Sequence, residues 1–299
     1  MEFSRLKSEL TKIKVGNVID KFNVSGQDAK HNLDRLFDGD GNEKEYFYTT
    51  ISSSRLVYLC FYSWMKSNGG VSIKLEDGEP PVLFKSYYLE AKNKVEKNDK
   101  PSNVDVLLVS EDSKILLYLE SKFTEYISYA KDEASVSKAY FDDVELKALM
   151  ADLVMRGFLD GKPVSYHRVI SSTYPGGIKQ MISHFVGVCK GPSPRDIDHE
   201  TISGLWKGAE RIYLGSIIYE FSDANFAEYC GCHKALADVL NAHCFGDKVH
   251  GNESDGVIPG KIKVIEQPFT YQELAGSNSL TEDVAEYYRL EEKNGNNQE

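Results

Sequence analysis

The stretch NVDVLLVSEDSKILLYLESKF, residues 103–123, decides the fold. Two short runs rich in Val, Ile and Leu flank the turn SEDS, and runs of this length and composition read as strands. Their closeness makes them antiparallel neighbours. The second run is apolar enough to lie centrally in a sheet, yet both runs carry charge. Asp105 interrupts the first, and Glu120 and Lys122 close the second. Strand side chains alternate faces. Tyr118, Glu120 and Lys122 therefore share one face, and Leu117, Leu119, Ser121 and Phe123 the other. Pairing through SEDS sets Asp105 across from Glu120.

Two carboxylates this close repel unless a positive charge lies between them. Mg²⁺ suits the position, because it prefers oxygen ligands and keeps several waters. Asp105 and Glu120 would hold it, with the Ser121 carbonyl as a third oxygen. Such a metal orients a water, lowers its pKa and neutralises phosphate charge. Lys122 points at the same spot, a compact ammonium with three donors that stabilises developing negative charge. The blander arrangement is a same-face ion pair on an exposed strand, with Asp105 capping a turn.

The spacing of Asp105 and Glu120-Ser121-Lys122 resembles the PD-(D/E)XK nuclease superfamily. SNVDVLL followed by LYLESKFTEY is similar to a restriction-endonuclease-like bacterial branch, in which the helix ISSSRLVYLCFYSW, residues 51–64, also has a counterpart. The resemblance spans roughly residues 45–245 and is specific around 102–126. It implies an α/β fold with a restriction-endonuclease-like core, a central mixed β-sheet flanked by α-helices. It implies Asp105 and Glu120 as metal ligands and Lys122 as the catalytic lysine. Members often carry proline before the first acid; here Val104 stands there and Pro101 lies further back. Many members also use Gln and, four residues later, Tyr from the following helix. Here GGIKQMISHFVGV offers Gln180 and then His184, which share a helix face at that spacing. The resemblance thus implies Gln180 as a residue orienting water or phosphate. Glu43, Glu45, Glu90 and Glu125 are further acids that no spacing selects.

The rest of the chain bounds this picture. Its 299 residues, 41% hydrophobic and 27% charged, suit an ordinary globular α/β domain. The expected organisation is one domain over 1–280 with an N-terminal helical extension, then a C-terminal helix and polar tail over 281–299. No apolar run reaches the roughly 18–20 residues that span a bilayer. The amphipathic start MEFSRLKSELTKIK is unlike a signal peptide. The expectations are a cytoplasmic protein, no membrane partner, and reduced thiols at five scattered cysteines. The net charge of −11 argues against broad affinity for nucleic acid. Residues 161–195, however, hold no Asp or Glu but include Lys162, Arg168, Lys179, Lys190 and Arg195. A locally positive face on an acidic body follows. Cys230, Cys232, His233, His243 and Cys244 invite a zinc reading, but their spacing fits a core helix better.

Coarse patterning adds a long helix over 43–67, a hairpin over 71–90 and helices over 132–158, 176–188, 226–244 and 281–293. Strands are expected at 165–171 and 211–221. The sequence thus points to a Mg²⁺-dependent phosphodiester hydrolase, with Mn²⁺ able to substitute, acting on nucleic acid, most simply DNA. The rival is a non-catalytic nucleic-acid-binding or protein-interaction module on the same fold. A homodimer would suit cutting two strands.

Overall fold

The turn SEDS closes because Asp112 gathers its donors. Its carboxylate accepts from Ser110 Oγ at 2.7 Å and Lys114 N at 3.0 Å, while Ser113 takes a left-handed φ of 60°. The strands on either side are β3, Ser102–Ser110, and β4, Ile115–Lys122. They pair antiparallel from Val106↔Leu119 to Val109↔Leu116. This computed structural model describes residues 2–12, 21–38, 44, 47–49, 51–95, 101–123, 135–137, 139–144, 146–160, 166–168, 175–222, 226–244 and 261–290.

Around the hairpin runs a mixed sheet in the order β1-β2-β3-β4-β7-β8, with β9 also paired to β7. Strands β1, Val71–Ile73, and β2, Val82–Asn93, continue the antiparallel meander. Strand β7, Arg211–Ile218, lies parallel to β4 along the whole of it, from Ile115↔Arg211 to Lys122↔Ile218. Strands β8, Ile262–Val264, and β9, Phe269–Thr270, pair parallel to β7. All eight residues of β4 are buried, as a strand with neighbours on both edges and helices on both faces must be.

Two cores result from the alternation along β4. Leu117, Leu119 and Phe123 pack on α3, Ser53–Asn68, while Leu116 and Tyr118 pack on α6, Pro175–Lys190, and α8, Phe226–Cys244. Helix α3 starts at its cap Ser52, which accepts from Arg55 N at 3.0 Å, so the helix expected over 43–67 begins later than its apolar pattern. It ends at Gly69 with φ 66°. The next residue is also fixed as glycine, because a Cβ at Gly70 would stand 2.6 Å from the Phe84 carbonyl oxygen.

The helix expected over 132–158 is instead broken among its described residues. Ser135–Ser137 forms β5, which pairs with β6, Tyr166–Arg168, in a separate two-stranded sheet. Two short helices follow, α4, Ala139–Asp142, and α5, Lys147–Met155. Val136 is a β-branched residue between serines, and its tertiary pairing outweighs the weak helical period. Helices α1, Phe3–Lys12, and α2, Gln27–Phe37, precede α3, and α7, His199–Gly208, leads into β7. Helix α9, Tyr271–Ser277, follows β9, and α10, Glu282–Tyr288, buries Val284, Tyr287 and Tyr288 against the same core as α3.

Beyond Phe84, β2 has no strand on its outer edge in this sheet. Side chains cover it instead, joined near Asn93 by the backbone of residues 191–193. Asn32 of α2 donates to the Tyr87 carbonyl at 3.2 Å and accepts from Leu89 N at 2.9 Å, as a neighbouring strand would. Arg35 donates to the Leu89 carbonyl at 2.8 Å, and Asp196 accepts from Lys92 N at 2.9 Å. An edge satisfied in this way offers no template for pairing with another chain. No helix among the described residues is long and apolar enough to cross a membrane.

Candidate functional site

Extending the β3–β4 register by one residue beyond Val106↔Leu119 puts Asp105 opposite Glu120. The ladder opens at that point. Ser121 N donates to Asp105 Oδ2 at 2.6 Å, so a side chain stands where a backbone carbonyl would otherwise accept. On the other side of Asp105, the pairs Leu89↔Val106 and Ala91↔Val104 place Glu90 across from it. Glu120 in turn pairs with Ser216. Glu90, Asp105, Glu120 and Ser216 thus form one transverse row over four adjacent strands. Glu90 is buried with a φ of 51°, a left-handed conformation that costs a non-glycine residue energy. Neighbouring Leu89 and Ala91 belong to opposite cores, so β2 switches faces across Glu90.

The Glu120 carboxylate is held at both oxygens. Lys122 Nζ donates to Oε1 at 2.5 Å, and His184 Nε2 donates to Oε2 at 2.8 Å. The other His184 nitrogen, Nδ1, lies 2.5 Å from Ser102 Oγ. All four side chains are buried. Behind the strand, Ser121 Oγ and the Tyr271 hydroxyl are 2.7 Å apart.

The electrostatics separate the two acids. Burial pushes Glu120 up, but Lys122 and then His184 more than offset this and hold its carboxyl down at about 2. Asp105 moves the opposite way. Burial and the charge of Glu120 raise it well above the usual aspartate range, against the pull of Lys122 and the Ser121 N–H. One carboxylate is thus firmly ionised while its neighbour holds its proton more tightly than a free aspartate. Such divergence is common where two acids share a site.

Helices α6 and α8 roof this face. Between them and the strands lies a small pocket, lined among others by Glu120, Lys122, Met181, Ser216, Tyr229 and His233. The hairpin residues Asp105, Glu120 and Lys122 come together as the spacing predicts. Gln180 does not join them: it is half-buried on α6, and no hydrogen bond among the described residues ties it to the cluster. His184, one turn on, makes that connection. Its only sequence signal was its place four residues after Gln180. Ser102 gave no signal, and Glu90 was one of four further acids that no spacing selects. Glu43, Glu45 and Glu125 lie outside the described residues.

Among the described residues no group of three or more His, Cys, Asp and Glu side chains is arranged to hold a metal ion. Cys230 and Cys232 are not disulfide-bonded, and His233 donates to the Ile265 carbonyl at 3.0 Å, within the core. In the acid-free stretch, Lys190 pairs with Asp143 at 2.5 Å, and Lys179 and Arg195 are exposed. Lys162 lies outside the described residues, and the Arg168 side chain is not described. No protein-family model, curated protein or solved structure matches the chain.

Proposed function

We propose that the chain is a Mg²⁺-dependent phosphodiester hydrolase of the PD-(D/E)XK type, acting on DNA. The observation that carries this is the convergence of Asp105, Glu120 and Lys122 at the open end of the central hairpin. The order of elements supports a restriction-endonuclease-like core: α3, the three antiparallel strands β2–β4, α6, then β7 parallel to β4, with the charged hairpin in the middle.

The donor set fits a hard cation. Asp105 and Glu120 present carboxylate oxygens from adjacent strands, and Mg²⁺ needs only one or two carboxylates because it retains water. The raised Asp105 carboxyl fits as well, since a dication relieves the repulsion that holds its proton. The metal, when bound, would supply Lewis-acid charge and an acidified water. The chain's own contribution is separate. Lys122 must leave Glu120 Oε1 to reach a phosphate oxygen, and its position one residue from Ser121 keeps it beside both carboxylates. Exposed Lys179, beside Gln180 on α6, offers a cation to a phosphate backbone.

A second reading is a binding module on the same fold without turnover. It is favoured by the full occupation of both Glu120 oxygens by Lys122 and His184, which resembles a closed structural network. Cleavage of supercoiled plasmid and of single-stranded DNA, with Mg²⁺ or Mn²⁺ and with EDTA, decides between them. The expected result is metal-dependent cutting that Lys122→Ala lowers by about 10²–10³-fold, the scale of losing one charge-stabilising donor. Retention of DNA without cutting under any of these conditions moves the protein to the binding reading.

A further inference from the structure

Glu120 is gripped from two distances. Lys122 is two residues away on the same strand, so its contact is local. His184 comes from α6, on the far side of a long connection, and is itself anchored by Ser102 at the start of β3. Ser102, His184 and Glu120 are 7%, 4% and 3% exposed, so water has little access to either bond.

The direction of the chain follows from its donors. Glu120 is ionised and can only accept, so His184 Nε2 carries the proton between them. Ser102 is both donor and acceptor. It can therefore serve Nδ1 of the ring. The approach of α6 is built in as well. A Cβ on Gly187 would stand 3.0 Å from Asn93 Cβ and 3.1 Å from Ser102 Cβ. Absence of that carbon lets the helix come close enough for His184 to reach between two strands.

We infer that His184, held by Ser102, is the positioning residue that fixes the Glu120 carboxylate for its cation; this rests on the hydrolase reading above. A glutamate has several rotatable bonds, and ordering it costs rotamer freedom. Groups that orient a metal ligand carry that cost before the ion arrives. Lys122 alone does not suffice, because it must release Oε1 to act on phosphate. Among the described residues, His184 is then the side-chain contact to Glu120 that persists when Lys122 moves.

The test pairs Mn²⁺ titration by calorimetry with plasmid cleavage, on wild type, His184→Ala, His184→Gln and Ser102→Ala, each first checked for folding by circular dichroism. His184→Ala is expected to weaken Mn²⁺ binding and to lower kcat by about 10–100-fold, the usual range for outer partners of metal ligands. His184→Gln should recover most of both, because its amide N–H can donate where Nε2–H did. Ser102→Ala should lose less, in the same direction. If His184→Ala fails to fold, the other two variants carry the test. A folded His184→Ala equal to wild type in both readings overturns the assignment, as does a His184→Gln no better than His184→Ala. A wild type that binds no Mn²⁺ and cuts nothing overturns the hydrolase reading itself, and this inference falls with it.

Discussion

Two buried charged clusters stand only a few residues apart along β2, and they are built on opposite plans. At Leu89 and Lys92, Arg35 is closed on all sides. Its Nη1 and Nη2 donate to Asp196 at 2.8 and 3.0 Å, Nη1 also donates to Asp198 at 2.5 Å, and Nε donates to the Leu89 carbonyl. Asp196 further accepts from Lys92 N and Asp198 N, so it stays below the usual aspartate range despite its burial. At Glu90, one residue beyond Leu89, the second cluster begins. It gathers Glu90, Asp105 and Glu120 around Lys122, forces one backbone into the left-handed region, and pushes Asp105 up. The first cluster locks a sheet edge. In the second, Lys122 and His184 hold Glu120 while burial and the Glu120 charge raise Asp105. The two clusters differ in how their aspartates are served: Asp196 is lowered by a full set of donors, and Asp105 is raised by a neighbouring carboxylate.

Substitutions can break this contrast, and the largest effect belongs to the closed cluster. Arg35→Ala leaves Asp196 buried without its partner and should cost about 3–5 kcal/mol in urea unfolding. In the open cluster the sign should reverse. Asp105→Asn keeps an acceptor for Ser121 N–H and removes a carboxyl that the native state wants protonated. It should stabilise the metal-free protein by about 1 kcal/mol, the ordinary scale of one substitution, while abolishing metal-dependent cleavage. The pH dependence fixes the sign. A carboxyl raised in the folded state makes folding take up a proton, so stability falls as pH rises above the unfolded value of about 3.9. The advantage of Asp105→Asn should therefore be small near pH 3.5 and grow toward neutrality. An advantage that shrinks over that range would contradict the charge balance described.

Glu120 runs the other way. Its folded value of about 2 lies below the unfolded one of about 4.3, so its contribution is present at neutral pH. That contribution is lost as pH falls through the interval, and Glu120→Gln should flatten acid unfolding there. A smaller signal comes from the metal itself. Binding Mg²⁺ in weak buffer should release protons as Asp105 ionises, and Asp105→Asn should release fewer.

Much of the site was legible because it is local. Residues 103–123 carry their own pairing instructions: a period of two, a turn whose Asp112 closes it, and a register that sets Asp105 against Glu120. Lys122 shares a face with Glu120 by alternation alone. Gln180 and His184 show the limit. Both lie on one side of α6, and helical spacing does not say which of them meets the sheet. The depth and rotation of α6 decide it, and these depend on the bare Gly187 against Asn93 and Ser102. The same holds for Glu90. Its conformation comes from β2 changing faces between two cores, a demand that no single strand carries in its residues.

By itself, then, the chain determined a central charged hairpin in an α/β protein and the three side chains at its end. Short-range sterics and strand alternation settle those within about twenty residues. Only the tertiary structure decided the parallel partner β7, the closed edge at Arg35 and Asp196, the breakage of the expected 132–158 helix, and the grip of His184 on Glu120. Each of these joins residues far apart in the chain, and the energy that holds them comes from packing and buried polar contacts that exist only once the layers have met.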